Sequence, residues 1–138
     1  AHETFCVEDD DVLGAVRDLT GGELLDLVVD TAAGSEQTVS LALDLLRKRS
    51  TLVVPAATKR PLTELDFYKI TRKYITVRGV RGHSYAAVER AIATISGRRH
   101  PLDLMCSLEV GLDGVEDAIL GTGGELDRPV VHACVVPA

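Results

Sequence analysis

The sequence predicts an α/β chain built on a parallel sheet. Near-continuous apolar runs at "LLDLVVD" (Leu24 to Asp30) and "TLVVPAA" (Thr51 to Ala57) suit strands covered on both faces, as parallel strands are. Between them, Val39, Ala42, Leu43 and Leu46 fall at helical spacing. A third, β-branched run, "YITVRGV" (Tyr74 to Val80), follows another helical stretch. Strand and helix alternate, which implies parallel pairing through right-handed crossovers.

In chain order, "HETFCVE" (His2 to Glu8) reads as a short strand with Phe5 and Val7 on one side. "DDDVLGAVRDLTGG" is a helix carrying Val12, Leu13, Val16 and Leu19 on one face. The aspartates at its start accept free backbone N–H groups and favour the positive dipole end. Gly21 and Gly22 supply a left-handed stop. "TAAGSEQ" turns the chain after the Leu24–Asp30 strand. "TVSLALDLLRKR" is the next helix, with Arg47, Lys48 and Arg49 meeting the exposed carbonyls of its last turn. Pro55 ends the following strand by removing a ladder donor.

"TELDFYKITRK" is helical, with Thr63 and Asp66 spaced as in a capping box. "SYAAVERAIATISG" is a helix with Tyr85, Val88, Ile92 and Ile95 in line, ended by Gly97. After Pro101, "LDLMCSLEV" is extended, "LDGVEDAILG" a short helix and "RPVVHACVV" a final strand. The rhythm loosens after Gly82, so residues 1–82 and 83–138 are expected to form separate segments.

The 138 residues suit one domain, and 46% apolar with 26% charged residues is an ordinary globular balance. A formal charge of -6 argues against a nucleic-acid partner, and 4% aromatic residues against single-strand stacking. No apolar run reaches the ~20 residues of a membrane span. "AHETFCVEDDD" lacks the basic-then-apolar order of a secretory signal. Cys6, Cys106 and Cys134 are widely spaced and odd in number, which fits reduced thiols in the cytoplasm. The chain begins at Ala1 and its single methionine is Met105, which points to processing or truncation.

The elements and their turns resemble the C-terminal part of medium-chain zinc-type alcohol dehydrogenases and reductases. The resemblance rests on "DDVLGAVRDLTGGELLDLVVDTAAG", "LALDLLRKRSTLVVPAA", "KYITVRGVRG" and "HPLDLMCSLEVGLDGVEDAILG", in that order. It implies the C-terminal half of a Rossmann-type parallel sheet with flanking helices. His2 to Glu8 would be the third strand of the complete sheet. Leu24 to Asp30 would be the fourth, Thr51 to Val54 the fifth and Ile75 to Gly79 the sixth. Residues 83–138 would return to the catalytic domain.

The same resemblance implies an NAD- or NADP-dependent oxidoreductase acting on an alcohol or carbonyl. Its glycine fingerprint, ribose-binding acid and zinc ligands would precede Ala1. This chain would contribute the nicotinamide side of the cofactor site through Thr31, Ala32 and Ala33, through Pro55, Ala56 and Ala57, and through Gly79, Val80 and Arg81. It would hold no catalytic residue and no metal ligand, and would be inactive alone. The Ile75–Gly79 edge would pair across a homodimer.

Plainer readings compete with these. Gly34 and Pro55 serve ordinary turns, and Arg78 and Arg81 are solvated charges that blunt a strand edge. His2, His83, His100 and His132 have no partner at metal-ligand spacing, and the cysteines form no C-x-x-C pair. His83, beside the expected cofactor loop, reads as a surface histidine. "AAGSE" is not a nucleophile elbow, which counts against a hydrolase-like domain. The other reading is a free-standing, non-catalytic binding or dimerisation module made from the same part of the fold.

Overall fold

The computed structural model describes residues 1–32, 36–55, 61 and 63–137, with only the backbone of Glu36. The chain divides into two compact units, Ala1–Gly82 and His83–Ala138. The architecture is α/β, with parallel sheets and flanking helices, as the alternation of elements predicts.

In the first unit the elements run α1 (Val12–Leu19), β1 (Leu25–Val29), α2 (Glu36–Leu45), β2 (Leu46–Val54), α3 (Phe67–Lys73) and β3 (Thr76–Gly79). The strands form one sheet in the order β1-β2-β3, and both pairings are parallel. Consecutive parallel strands need a crossover, and α2 and α3 supply it. Ala42 and Leu43 of α2 meet Leu46 and Leu52 of β2, with Ile75 before β3. Val28, Val39, Val54 and Ile70 complete this core. Leu43, Leu46 and Leu52 are essentially sealed from solvent. Burying a leucine fully is worth about 1.5–3 kcal/mol, so these side chains anchor the unit.

The local reasons for each helix are visible. Asp11 caps α1 by accepting from the Gly14 N–H at 2.9 Å. Gly21 and Gly22 both take positive φ beyond its end, and the Gly22 N–H returns to Arg17 O at 2.7 Å. At the far end of α2, Lys73 Nζ donates to the main-chain oxygens of Leu43, Asp44 and Leu46. Those carbonyls lack helical partners, and the ammonium satisfies them. Burial pushes the Lys73 pKa down, while Asp44 opposes that change. Tyr74 closes α3 in the left-handed region, at φ 56°.

Several sequence expectations change. His2 to Glu8 is not a strand. Cys6 instead heads a turn, its N–H donating to Asp10 Oδ2 at 2.7 Å and its carbonyl accepting from the Asp10 N–H. An extended segment needs a neighbouring ladder to hold it, and none among the described strands pairs with this one. β1 is not covered on both faces. Its Val28 faces the core, but Leu27 and Val29 are 53% and 51% exposed.

The α2 helix stops at Leu45, so Arg47, Lys48 and Arg49 do not occupy its last turn. Leu46 already pairs with Leu25, and the ladder resumes only at Leu27 and Thr51. The intervening residues bulge, with Arg49 in the left-handed region. Arg47 Nε donates to Asp26 Oδ1 at 2.7 Å, and Nη2 reaches the same oxygen. This hydrogen bonding raises the Arg47 pKa further. The third helix begins at Phe67, later than the Thr63–Asp66 pattern implied. Asp66 is itself the cap, accepting from the Lys69 N–H at 3.3 Å.

In the second unit, α4 (Tyr85–Ser96) is capped by Ser84, which accepts from the Ala87 N–H at 3.2 Å. Its apolar line of Tyr85, Val88, Ile92 and Ile95 is exposed. "LDLMCSLEV" is a 3-10 turn at Leu102–Met105 followed by β4 (Cys106–Val110), rather than extended throughout. Beyond the 3-10 turn at Leu112–Gly114 come α5 (Val115–Thr122) and β5 (His132–Val135). β4 and β5 pair in parallel, with α5 packed against one face. A β-carbon at Gly121 would stand 2.9 Å from Val130 Cγ2, 3.0 Å from Leu126 Cδ1 and 3.3 Å from Leu108 Cδ2. Any larger residue there would have to displace these side chains.

Candidate functional site: the carboxyl edge of the sheet

In a parallel sheet all strands end at the same edge, and ligands bind beyond it. Here Val29 pairs with Val53, and Val54 pairs with Gly79. The loops after β1, β2 and β3 therefore start side by side. Two further bonds continue the ladders into them: Asp30 N–H to Val53 O at 3.0 Å, and Val80 N–H to Val54 O at 3.2 Å.

Thr31, Ala32, Pro55, Gly79, Val80 and Arg81 all lie at this edge and are exposed. Ala33, Ala56 and Ala57 lie outside the described residues. A groove of about 210 Å³ opens beside β1, between Val7, Val29, Thr31, Ala32 and Leu41. Its walls are mainly apolar, and Thr31 and Ala32 contribute to the lining.

Sequence reasoning missed the residue that shapes this loop. Asp30 is only 7% exposed, although it ends a strand and carries a carboxylate. Oδ1 accepts from the Ala32 N–H at 2.9 Å, and Oδ2 from Thr38 Oγ1 at 3.1 Å. The carboxylate thus ties the first residues of the loop to α2 and satisfies its own burial. The signal was an aspartate at the end of an apolar run with a threonine early in the next helix.

These residues fit a flat, uncharged ligand group more readily than an anion. The Ala32 N–H is already engaged by Asp30. Pro55 has no N–H, so its backbone offers an acceptor. Among the described residues, a β-carbon on Gly79 would meet nothing within 4 Å. Arg81 supplies a positive charge at the margin. Zinc fits less well: among the described residues, no group of three or more His, Cys, Asp or Glu side chains is placed to hold a metal.

The opposite edge of the sheet carries a cavity of about 540 Å³ near Arg47, Lys69 and Lys73. Its cations are largely committed. Arg47 binds Asp26, Lys69 binds Asp44 at 2.6 Å, and Lys73 holds the end of α2. Arg47 is thus held by an acidic neighbour in β1, and not as the helix-end charge expected of the Arg47–Arg49 triplet. No described helix is long and apolar enough to cross a membrane.

The fold resembles known dehydrogenase structures. An alcohol dehydrogenase from Thermotoga maritima superposes with a TM-score of 0.81 at 18% identity, covering 97% of this chain and 36% of that one. An alcohol dehydrogenase from Thermus sp. ATN1 gives 0.78 at 20% identity, over 97% and 38%. Galactitol-1-phosphate dehydrogenase from Escherichia coli gives 0.77 at 20%, over 94% and 39%. The chain thus spans little more than a third of the length of these structures. Comparison with curated protein sequences gives no match.

The fold is that of the cofactor-binding part of alcohol dehydrogenases. The sequence model of zinc-binding dehydrogenases matches residues 1–97, and the chain belongs to that family.

Proposed function

We propose that this chain is the nicotinamide-side portion of an NAD- or NADP-dependent alcohol or carbonyl oxidoreductase. The observation that carries the reading is the alignment of three loop starts at the carboxyl edge of the β1-β2-β3 sheet. Residues 1–82 would be the second half of the dinucleotide-binding domain, and residues 83–138 would belong to the catalytic domain. The glycine fingerprint and the zinc ligands would come from the rest of the enzyme.

When bound, the nicotinamide supplies the hydride donor or acceptor. This chain's part would be to position it. Thr31, Ala32 and Ala33 would line the ribose side. Pro55, Ala56 and Ala57 would hold the carboxamide through main-chain groups, which orient a ring more rigidly than mobile side chains do. Gly79, Val80 and Arg81 would close the third side, and Asp30 would fix the first loop. Alone, the chain would not turn over, since the zinc ligands and the glycine fingerprint would lie elsewhere in the enzyme. The outer edge of β3 would pair with its copy in a homodimer, and the free thiols fit a cytoplasmic setting.

Amide-resolved titration of the purified 138-residue chain with NADH tests this. Shifts are expected first at Thr31, Ala32 and Gly79–Arg81, with weak affinity because no pyrophosphate-binding helix start is supplied. Shifts confined to the opposite edge, or zinc-dependent alcohol oxidation by this chain alone, would sink the proposal.

The fully exposed β3 favours a second reading, a non-catalytic dimerisation module. The NADH titration separates the two, since both place a dimer at β3. A stable dimer lost in Val77→Lys, with no response to NADH, would support the module.

A further inference from the structure

Cys106 begins β4, and Cys134 lies in β5, its parallel neighbour. Cys106 stands opposite His132. Cys134 is two residues further along, and side chains alternate along a strand, so both thiols project from the same face. That face is the one α5 leaves open, since Leu108 packs toward Gly121 on the other. Both thiols are free and half-buried, whereas Cys6 is exposed in the other unit.

Diagonal partners in a ladder sit about 7–8 Å apart, so a bond between them requires the backbone to shift. The ladder is not regular here. It shifts between Cys106 and Leu108, where β4 carries an extra residue. A bulge bends the strand and gives it room to adjust. The Cys134 thiol, then burial and Glu109, push the Cys106 thiol up. A metal site is a poorer match, because no third ligand joins them among the described residues.

We propose that Cys106 and Cys134 form a dithiol–disulfide site that closes by exchange with a low-molecular-weight disulfide such as oxidised glutathione. One protein thiol loses its proton to solvent and attacks a sulfur of that disulfide. A mixed protein–glutathione disulfide forms, and one glutathione thiolate leaves and is protonated. The second protein thiol then loses its proton and attacks the protein sulfur of the mixed disulfide. The Cys106–Cys134 bond forms, and the second glutathione leaves as its thiol. The protein gives up two electrons, and the oxidised glutathione becomes two reduced molecules.

The raised Cys106 thiol makes attack slow at neutral pH and faster under alkaline conditions, because the thiolate is the nucleophile. A bridge reached by shifting a bulged strand opens readily to reductant. When closed, it fastens β5 to β4 on the face opposite α5.

The full chain is incubated with oxidised glutathione, alkylated and peptide-mapped, once folded and once in urea. From the folded chain, the peptides holding Cys106 and Cys134 are expected as a single cross-linked pair, released by dithiothreitol. Cys6 stays a thiol or carries its own glutathione. In urea the pairing spreads to bonds with Cys6. Cys134→Ser should trap glutathione on Cys106 as a lasting adduct. Three results overturn the proposal: stable glutathione on Cys106 or Cys134 in the folded wild-type chain, pairing of either with Cys6 in that chain, or folded thiols that never react. The wild-type map decides the matter even if the variant does not fold.

Discussion

Asp30 Oδ2 accepts a hydrogen bond from Thr38 Oγ1 at 3.1 Å, joining the end of β1 to the first turns of α2. Its other oxygen holds the Ala32 N–H. Asp30→Ala removes both bonds and leaves the Ala32 N–H without this acceptor. The expected cost is about 1–3 kcal/mol in urea denaturation. Asp30→Asn keeps one acceptor oxygen and should fall between the two. An unchanged midpoint for Asp30→Ala would show that the carboxylate does not hold the loop.

Leu52 sits at the centre of the first unit, with Leu43, Leu46 and Ile75 around it. Leu52→Ala should lower stability by about 2–5 kcal/mol through lost burial and the cavity left behind. Hydrogen exchange of the β2 amides should accelerate, while amides of β4 and β5 serve as the internal comparison.

Much of this unit could be read directly from residue spacing. Ala42, Leu43 and Leu46 were expected to face the core and do so. The strands at Leu25–Val29 and Thr76–Gly79 follow from apolar and β-branched runs. The failures share a cause. Leu46 to Arg49 consists of good helix formers, so local preference continued the helix. Pairing with Leu25 and the Arg47–Asp26 bond hold that segment elsewhere, and both partners lie more than twenty positions away. Phe5 and Val7 alternate like a strand, but a strand exists only where a neighbour supplies its ladder. At the candidate site, the edge was legible because strand ends mark it. The part played by Asp30 was not, because burial of a carboxylate depends on what folds over it.

Gly121 offers a test in the second unit. Gly121→Val would drive a branched side chain into Val130, Leu126 and Leu108. Overpacking of this kind costs about 1–3 kcal/mol, and helix propensity gains little to offset it. Limited proteolysis should cut this variant within 83–138 sooner than the wild type. Equal rates would mean that the loop carrying Leu126 and Val130 yields freely.

The reduced form of Cys106 adds a pH dependence. Its folded pKa lies above the ordinary thiol value of 9.0, through the Cys134 thiol first and then burial. The folded chain therefore keeps a proton that the unfolded chain releases. The stabilising contribution is complete below pH 9.0 and is lost as pH rises through the raised value. Urea midpoints under reducing conditions should fall above pH 9.0, and Cys106→Ser should flatten that part of the curve. Parallel curves would exclude this thiol as the source.

Tyr74 occupies the left-handed position that ends α3, although its side chain is 71% exposed. A residue with a β-carbon gives up about 1–2 kcal/mol there, and glycine avoids that penalty. Tyr74→Gly should therefore raise the melting temperature, since little packing is lost with the ring. Leu24, Arg49 and Arg98 take the same conformation without being glycine. The chain thus carries unspent evolutionary headroom at these four described positions: its sequence stops short of the most robust version of its own backbone.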